Sequence, residues 1–267
     1  HAYMYWNNWM AGQTWSNFMD AASLPEAVDF VGPTDGVVFV RQAQIRYTNG
    51  GFSVALENPE TTTLTGTRNP VTGVWTNASA SADRGGLPDL TVRYGWKGDW
   101  GTFGVAGLVR QLKVDNQGTG ADASKVAGGL TLGGKWVMAD SDSLHYQLTG
   151  GEGISRYIGL GITADTAYDA ARDELATTGV LAGYVGWRHA FSPKLRTNLI
   201  YARSDYDNDG SLGPLVTKSV QSIRGNVFYS PMPKVDVGAE LMYGVREIED
   251  GRRGDIRRVQ FTTKYSF

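Results

Sequence analysis

The basic residues of this 267-residue chain recur at alternate positions of segments that otherwise mix apolar and polar side chains. In LTVRYGWK, Leu90, Val92, Tyr94 and Trp96 share one parity and leave Arg93 and Lys97 on the other. A period of two is that of a β-strand, so the two sets lie on opposite faces. The same rule separates Phe103, Val105 and Val109 from Arg110, and Ala43, Ile45 and Tyr47 from Gln42, Gln44 and Arg46. Extended along the chain, it puts Lys135, Arg188, Arg196, Arg224, Arg246, Arg258 and Lys264 on the polar face as well. Glu57, Asp236 and Glu240 are the clear carboxylates there. The chemistry open to such a set is non-covalent. Fixed cations in a narrow aqueous passage with low-dielectric walls concentrate anions and repel cations, and the guanidinium fork matches a carboxylate. For any one arginine the plain alternative is a space-filling pair with a loop acid.

Other chemistries find less support. The histidines are His1, His145 and His189; the first is terminal and the others flank short turns, away from the loop-bearing rim where a barrel hydrolase would keep its triad. The glycine-rich GGEGISRYIGLG has no helix after it to cradle a phosphate. DYDNDG sets Asp205, Asp207 and Asp209 at alternate positions before Gly210, like the start of a calcium loop, but Val216 stands where the bidentate glutamate belongs. A solvated acidic loop is the better reading. No cofactor, metal or catalytic residue is called for.

The elements that position the cations are strands. Twelve are expected, at roughly 3–14, 36–48, 51–59, 89–97, 101–114, 123–138, 143–153, 175–191, 194–206, 215–230, 234–247 and 255–267. Short turn-like connections (TNGG, KGDWG, ADSDS, FSPK, PMPK) alternate with long ones at 15–35, 60–88 and 154–174. That alternation is the habit of bacterial outer-membrane barrels, with the short turns on the periplasmic side. Aromatics gather beside the short turns: Tyr47 with Phe52, Tyr94 and Trp96 with Phe103, Trp136, Trp187 with Phe191, Tyr229, Tyr265 and Phe267. Such a girdle suits a membrane interface. The first strand carries large apolar residues on both faces, so its lumen side is left unassigned.

Composition agrees. A net charge of -2 gives no reason to expect a nucleic-acid partner, and the absence of cysteine excludes a disulfide framework. Mean hydropathy of -0.28 suits a barrel wall that is wet on one side. The chain opens on the strand-like HAYMYWNNWM, so either a leader has been removed or the sequence starts partway into a larger protein. Arg41, Lys113, Arg203 and Arg257 fall on the outward face near the long-loop ends, where an outward arginine costs only about 0–1 kcal/mol. They are candidate contacts for lipopolysaccharide phosphates or a neighbouring subunit.

Residues 11–47, AGQTWSNFMDAASLPEAVDFVGPTDGVVFVRQAQIRYT, resemble the DcaP-like family of outer-membrane porins in their G-Q-T-W-S-x-F-M-D, L-P-E, D-F-x-G-P and R-Q-x-Q-I-R-Y series. The resemblance implies a sixteen-stranded barrel, a homotrimer, and uptake of small anions, dicarboxylates especially. It also makes 15–35 the loop that folds inward and narrows the pore, with Asp20, Glu26 and Asp29 as its acids. The expectation is thus an all-β, transmembrane, antiparallel up-and-down barrel over 1–267. It would pass anions by diffusion, with Arg46, Arg93 and Arg110 foremost because their strands follow the loop. If this chain's own strands close the barrel, the first pairs with the last and both termini lie on the periplasmic side. The competing reading is a plugged barrel used as an anchor or adhesin; a barrel enzyme ranks below it.

Overall fold

The computed structural model describes residues 1–80, 86–116, 121–170 and 172–266, with the side chains of 80, 116 and 121 left aside. Thirteen strands form one antiparallel barrel wall: β1 (Ala2–Trp6), β2 (Trp9–Trp15), β3 (Arg41–Asn49), β4 (Phe52–Glu57), β7 (Asp89–Gly98), β8 (Gly101–Asn116), β9 (Ala121–Ala139), β10 (Asp142–Glu152), β13 (Gly179–Ser192), β14 (Leu195–Asp207), β15 (Thr217–Met232), β16 (Val235–Ile248) and β17 (Arg253–Tyr265), each bonded to the next in that order. Between them β5 (Thr63–Arg68), β6 (Trp75–Ala80), β11 (Thr166–Asp169) and β12 (Glu174–Thr177) make a separate sheet in the order β12-β11-β5-β6, with β11 and β5 parallel. Two long loops thereby join into one cap.

The expected count of twelve is corrected at the first strand. Residues 3–14 are a hairpin, broken at Asn7–Asn8 with Asn7 at φ 52°. A second correction follows. β1 and β17 both run from the long-loop end to the short-turn end, and no pairing joins them among the described residues. Strands that run the same way cannot form the antiparallel ladder used everywhere else in this wall. The expected closure of first strand on last, with both termini at the periplasmic edge, is not what the sheet does. The strand expected from residue 36 begins at Arg41, and the one expected from 175 is split between β12 and β13.

The short connections are two-residue turns. At Gly50, φ of 60° is the left-handed backbone a tight hairpin demands, which glycine adopts without penalty. Outward positions are large, apolar and exposed, as with Ile45, Leu130, Leu181, Leu199, Ile223 and Leu241. They have no protein partner because their solvent is lipid. Trp96, Trp136, Trp187, Tyr229 and Tyr265 are exposed near the short turns, as a girdle requires. Phe267, assigned to the same girdle, lies outside the described residues.

Part of the interior is packed. Phe18 and Met19 meet Val38, Ala106, Leu108, Ile154, Tyr157, Ile158, Ala182 and Tyr206 in a buried apolar cluster. These come from the segment between β2 and β3, from the loop after β10, and from inward positions of β8, β13 and β14. Gly36 sits against β13 so closely that a Cβ there would collide with the Gly183 carbonyl oxygen. A second cluster seats Leu175 of the cap on Leu112, Val114, Ala123 and Ala127.

Candidate functional site

The segment from Ser16 to Val40 leaves β2, crosses the interior and returns to β3. Its first part is pinned by Asn17, whose amide donates to Glu57 Oε1 at 2.8 Å and whose carboxamide oxygen accepts from Ser53 Oγ at 2.6 Å. Asp20 caps the short 3₁₀ turn 21–23 by accepting from Ala22 N at 3.0 Å. Its other contact is Arg93 Nη2 at 2.7 Å. Ser23 shares a 2.7 Å hydrogen bond with the Tyr184 hydroxyl. The last part is held by Val38 N donating to Gln147 Oε1 at 2.9 Å and by a bridge to Ile158.

Between those anchors the segment's acids meet the inward arginines. Glu26 accepts from Arg196 through both oxygens, Nε at 2.7 Å and Nη2 at 2.6 Å, and lies 3.9 Å from Arg188 Nε. Asp29 accepts from Arg258 Nη2 at 2.7 Å and lies 3.9 Å from Arg224. Asp35, not among the sequence-based candidates, is 3.8 Å from Arg224 Nη2. Burial pushes its carboxyl above the ordinary carboxylate range, and the hydrogen bonds and cations around it only partly offset that. Arg224 is fully buried and donates to the Gly32 carbonyl and to Thr34 Oγ1.

Elsewhere the predicted cations divide. Arg46 donates to the Trp15 carbonyl and Gln44, bracing the root of the segment. Arg110 lines no open passage. Its side chain is wholly buried, 3.3 Å from Asp89 and 3.1 Å from Asp165, and it donates to Gly153 O at 2.9 Å. Arg156 lies beside it, 3.2 Å from Asp89, with its guanidinium over the Tyr157 ring at 4.8 Å. Tyr157 donates to Asp89 at 2.7 Å, and burial raises its phenol above the usual value. Neither Asp165 nor Arg156 was named from sequence. They sit in a loop more than 40 residues from Arg110, and no local pattern marks them. By contrast Lys135, Arg246 and Lys264 face inward without any carboxylate in ion-pair range among the described residues; Arg246 donates to Thr217 Oγ1 at 2.9 Å.

Two cavities lie between the inserted segment and the last strands. One, of about 580 Å³, opens toward the long-loop rim beside Asp35, Met242, Arg246, Arg252 and Ile256. The other, of about 610 Å³, lies toward the short turns between residues 24–32 and Asp236, Thr262 and Lys264.

The outward cations carry local partners. Arg203 forks onto Asp205 at 2.5 and 2.6 Å, Lys113 is 3.2 Å from Asp115, and Arg257 is 4.0 Å from Asp255. Arg41 lies over the Trp15 ring at 5.0 Å. Asp205 is therefore turned outward, while Asp209 caps the 3₁₀ turn 210–212, so the aspartates of DYDNDG do not converge on one point. Among the described residues no three metal-type side chains gather anywhere.

The family described as DcaP outer membrane protein matches residues 1–267, the whole length. The chain belongs to that family. Its place is the outer membrane, and its architecture is that of a porin. It is similar to the outer membrane channel DcaP of Acinetobacter baumannii, with 26% identity and a TM-score of 0.82 over all of this chain and 74% of that one. At the level of fold it is also similar to OmpT, an outer membrane protein of Vibrio cholerae (12% identity, TM-score 0.56, 96% of this chain and 75% of that one). The anion-selective porin from Comamonas acidovorans is alike to the same degree (11%, 0.55, 97% and 74%). No curated protein matches in sequence. Family membership points to a channel rather than an enzyme.

Proposed function

We propose that the protein lets small anionic solutes, dicarboxylates among them, diffuse passively across the outer membrane. The observation that carries this reading is the imbalance of inward charge. The segment's carboxylates are taken up by Arg93, Arg196, Arg224 and Arg258, and Lys135, Arg246 and Lys264 remain over as fixed cations, the last two lining the cavities. A cation in a low-dielectric enclosure raises the local anion concentration. Residues 15–35 act as the constriction loop, and Asp20, Glu26 and Asp29 hold it to the wall rather than facing the arginines across a gap. The transverse field expected from separated charges is therefore small, and selectivity rests on the unpaired cations. The whole chain is one barrel domain.

The protomer assembles as a homotrimer, as the family resemblance implies, which migration on an unheated gel tests. Arg41, Lys113, Arg203 and Arg257 meet lipopolysaccharide phosphates at the rim, the last three in competition with the aspartates beside them. Uptake is tested by liposome swelling with succinate against a neutral sugar of like size. Faster entry of succinate is expected, and it shrinks when Lys135 and Lys264 are both replaced by Glu. Equal entry of the two solutes, unmoved by that replacement, would overturn the reading.

A further inference from the structure

Glu26 and Asp29 occupy the positions that a carboxylate solute would need. Arg196 presents a complete fork to Glu26, and the fork is held in place without it. Its Nη1 donates to Ser230 Oγ at 2.8 Å, its Nη2 lies 3.1 Å from Asp236, and its guanidinium lies 5.1 Å from the centre of the Phe228 ring. If Glu26 swings away, the site persists. Arg258 offers a second site. Its Nη2 carries Asp29, and its Nε is buried without a hydrogen-bond partner. Glu26 and Asp29 themselves line the cavity beside Lys264.

These pairs are reachable in a way that the Arg110 cluster is not. The Glu26 and Arg196 side chains are 33% and 13% exposed and those of Arg258 and Asp29 36% and 17%, against 0% for Arg110, Asp89 and Asp165. Water and dissolved ions reach one member of each pair, Glu26 and Arg258, and compete there with its partner. A carboxylate from solution then makes the contacts that the resident one gives up, so the exchange is close to balanced. The backbone need not move, since residues 24–32 keep Val28 N on Glu240 Oε2 at 3.1 Å whichever carboxylate fills the forks.

We propose that the Arg196 fork and Arg258 are two anion subsites for the carboxylates of one permeating dicarboxylate, and that Glu26 and Asp29 are resident stand-ins which the solute displaces and which recapture the forks as it leaves. This rests on the anion-channel reading above. The stand-ins keep the subsites from holding a solute too tightly, which conduction requires, and they set specificity. A single carboxylate frees one stand-in, whereas a dianion replaces both and gains the second contact intramolecularly.

The test is calorimetric titration of the detergent-solubilised protein with succinate and with acetate. It compares the wild type with the Glu26→Gln, Asp29→Asn double variant, alongside reversal potentials of both. Succinate is expected to bind the double variant at least about tenfold tighter than wild type, with a much smaller gain for acetate. Arg196→Lys, which keeps the charge but loses the fork, weakens succinate binding in either background. Should the double variant not fold, the single substitutions are measured instead, and each shows part of the gain. Unchanged or weaker succinate affinity in a channel that still prefers anions would overturn the stand-in role and leave the anion reading standing. Loss of anion preference in the wild type would remove both.

Discussion

At the residue scale the arginines of this wall fall into two kinds, and exposure separates them. Arg110 is locked between Asp89 and Asp165, all three side chains wholly buried. Truncating one member of such a group strands the others, at a cost of about 3–5 kcal/mol. Arg110→Ala should lower the denaturant midpoint of the detergent-solubilised barrel accordingly, read by tryptophan fluorescence, while leaving ion preference unchanged. A shift in preference would mean that Arg110 does face the passage. Asp35 supplies a signed pH effect. Its carboxyl titrates above the unfolded value because burial outweighs its bonds to neighbouring hydroxyls and the 3.8 Å contact to Arg224, which is shared with Asp29. A raised carboxyl stabilises the fold as pH falls from its folded value to the ordinary carboxylate range, because the native state takes up the proton first. Asp35→Asn lacks that gain. Its stability should fall more steeply than wild type over that window, measured as denaturant midpoint against pH.

At the scale of elements, the alternation that names a lipid face is also what makes it fragile. Leu130 lies at the centre of β9 and points outward. Leu130→Arg should cost about 2–4 kcal/mol, seen as a lower yield of refolded barrel in lipid vesicles. The same change at Val126, four residues nearer the long-loop rim, should cost less. This period-two signal is why most strands and the inward direction of Arg93, Arg188, Arg196, Arg224 and Arg258 could be read from the sequence. It failed where it carried no contrast. In YMYWNNWM both parities are large and apolar, and the turn is made by two asparagines with no glycine or proline to announce it, so a hairpin passed for one strand. It was silent on Asp35, which reads as an ordinary turn residue in PTDG. It was equally silent on the Arg156–Asp89–Asp165 group, which joins two residues of the loop after β10 to the first residue of β7. Inward direction was legible; partnership was not, because partners are chosen by tertiary contact.

At the scale of the whole molecule, a formal charge of -2 hides an uneven distribution. Many acids lie in loops or beside outward cations, and the inserted segment spends its own carboxylates on the wall. Of the remaining inward cations, Arg246 and Lys264 each line a cavity between the inserted segment and the last strands. Reversing the charge at Lys264 and Lys135 should move selectivity, whereas reversing it at Arg203, which faces outward onto Asp205, should not. The most direct measurement is the zero-current potential of single channels in a planar bilayer under an approximately tenfold potassium chloride gradient. The account predicts a potential with the sign of chloride preference, reduced or inverted in the Lys135→Glu, Lys264→Glu variant. A potential of cation sign in the wild type would contradict it, as would a folded protein that conducts nothing.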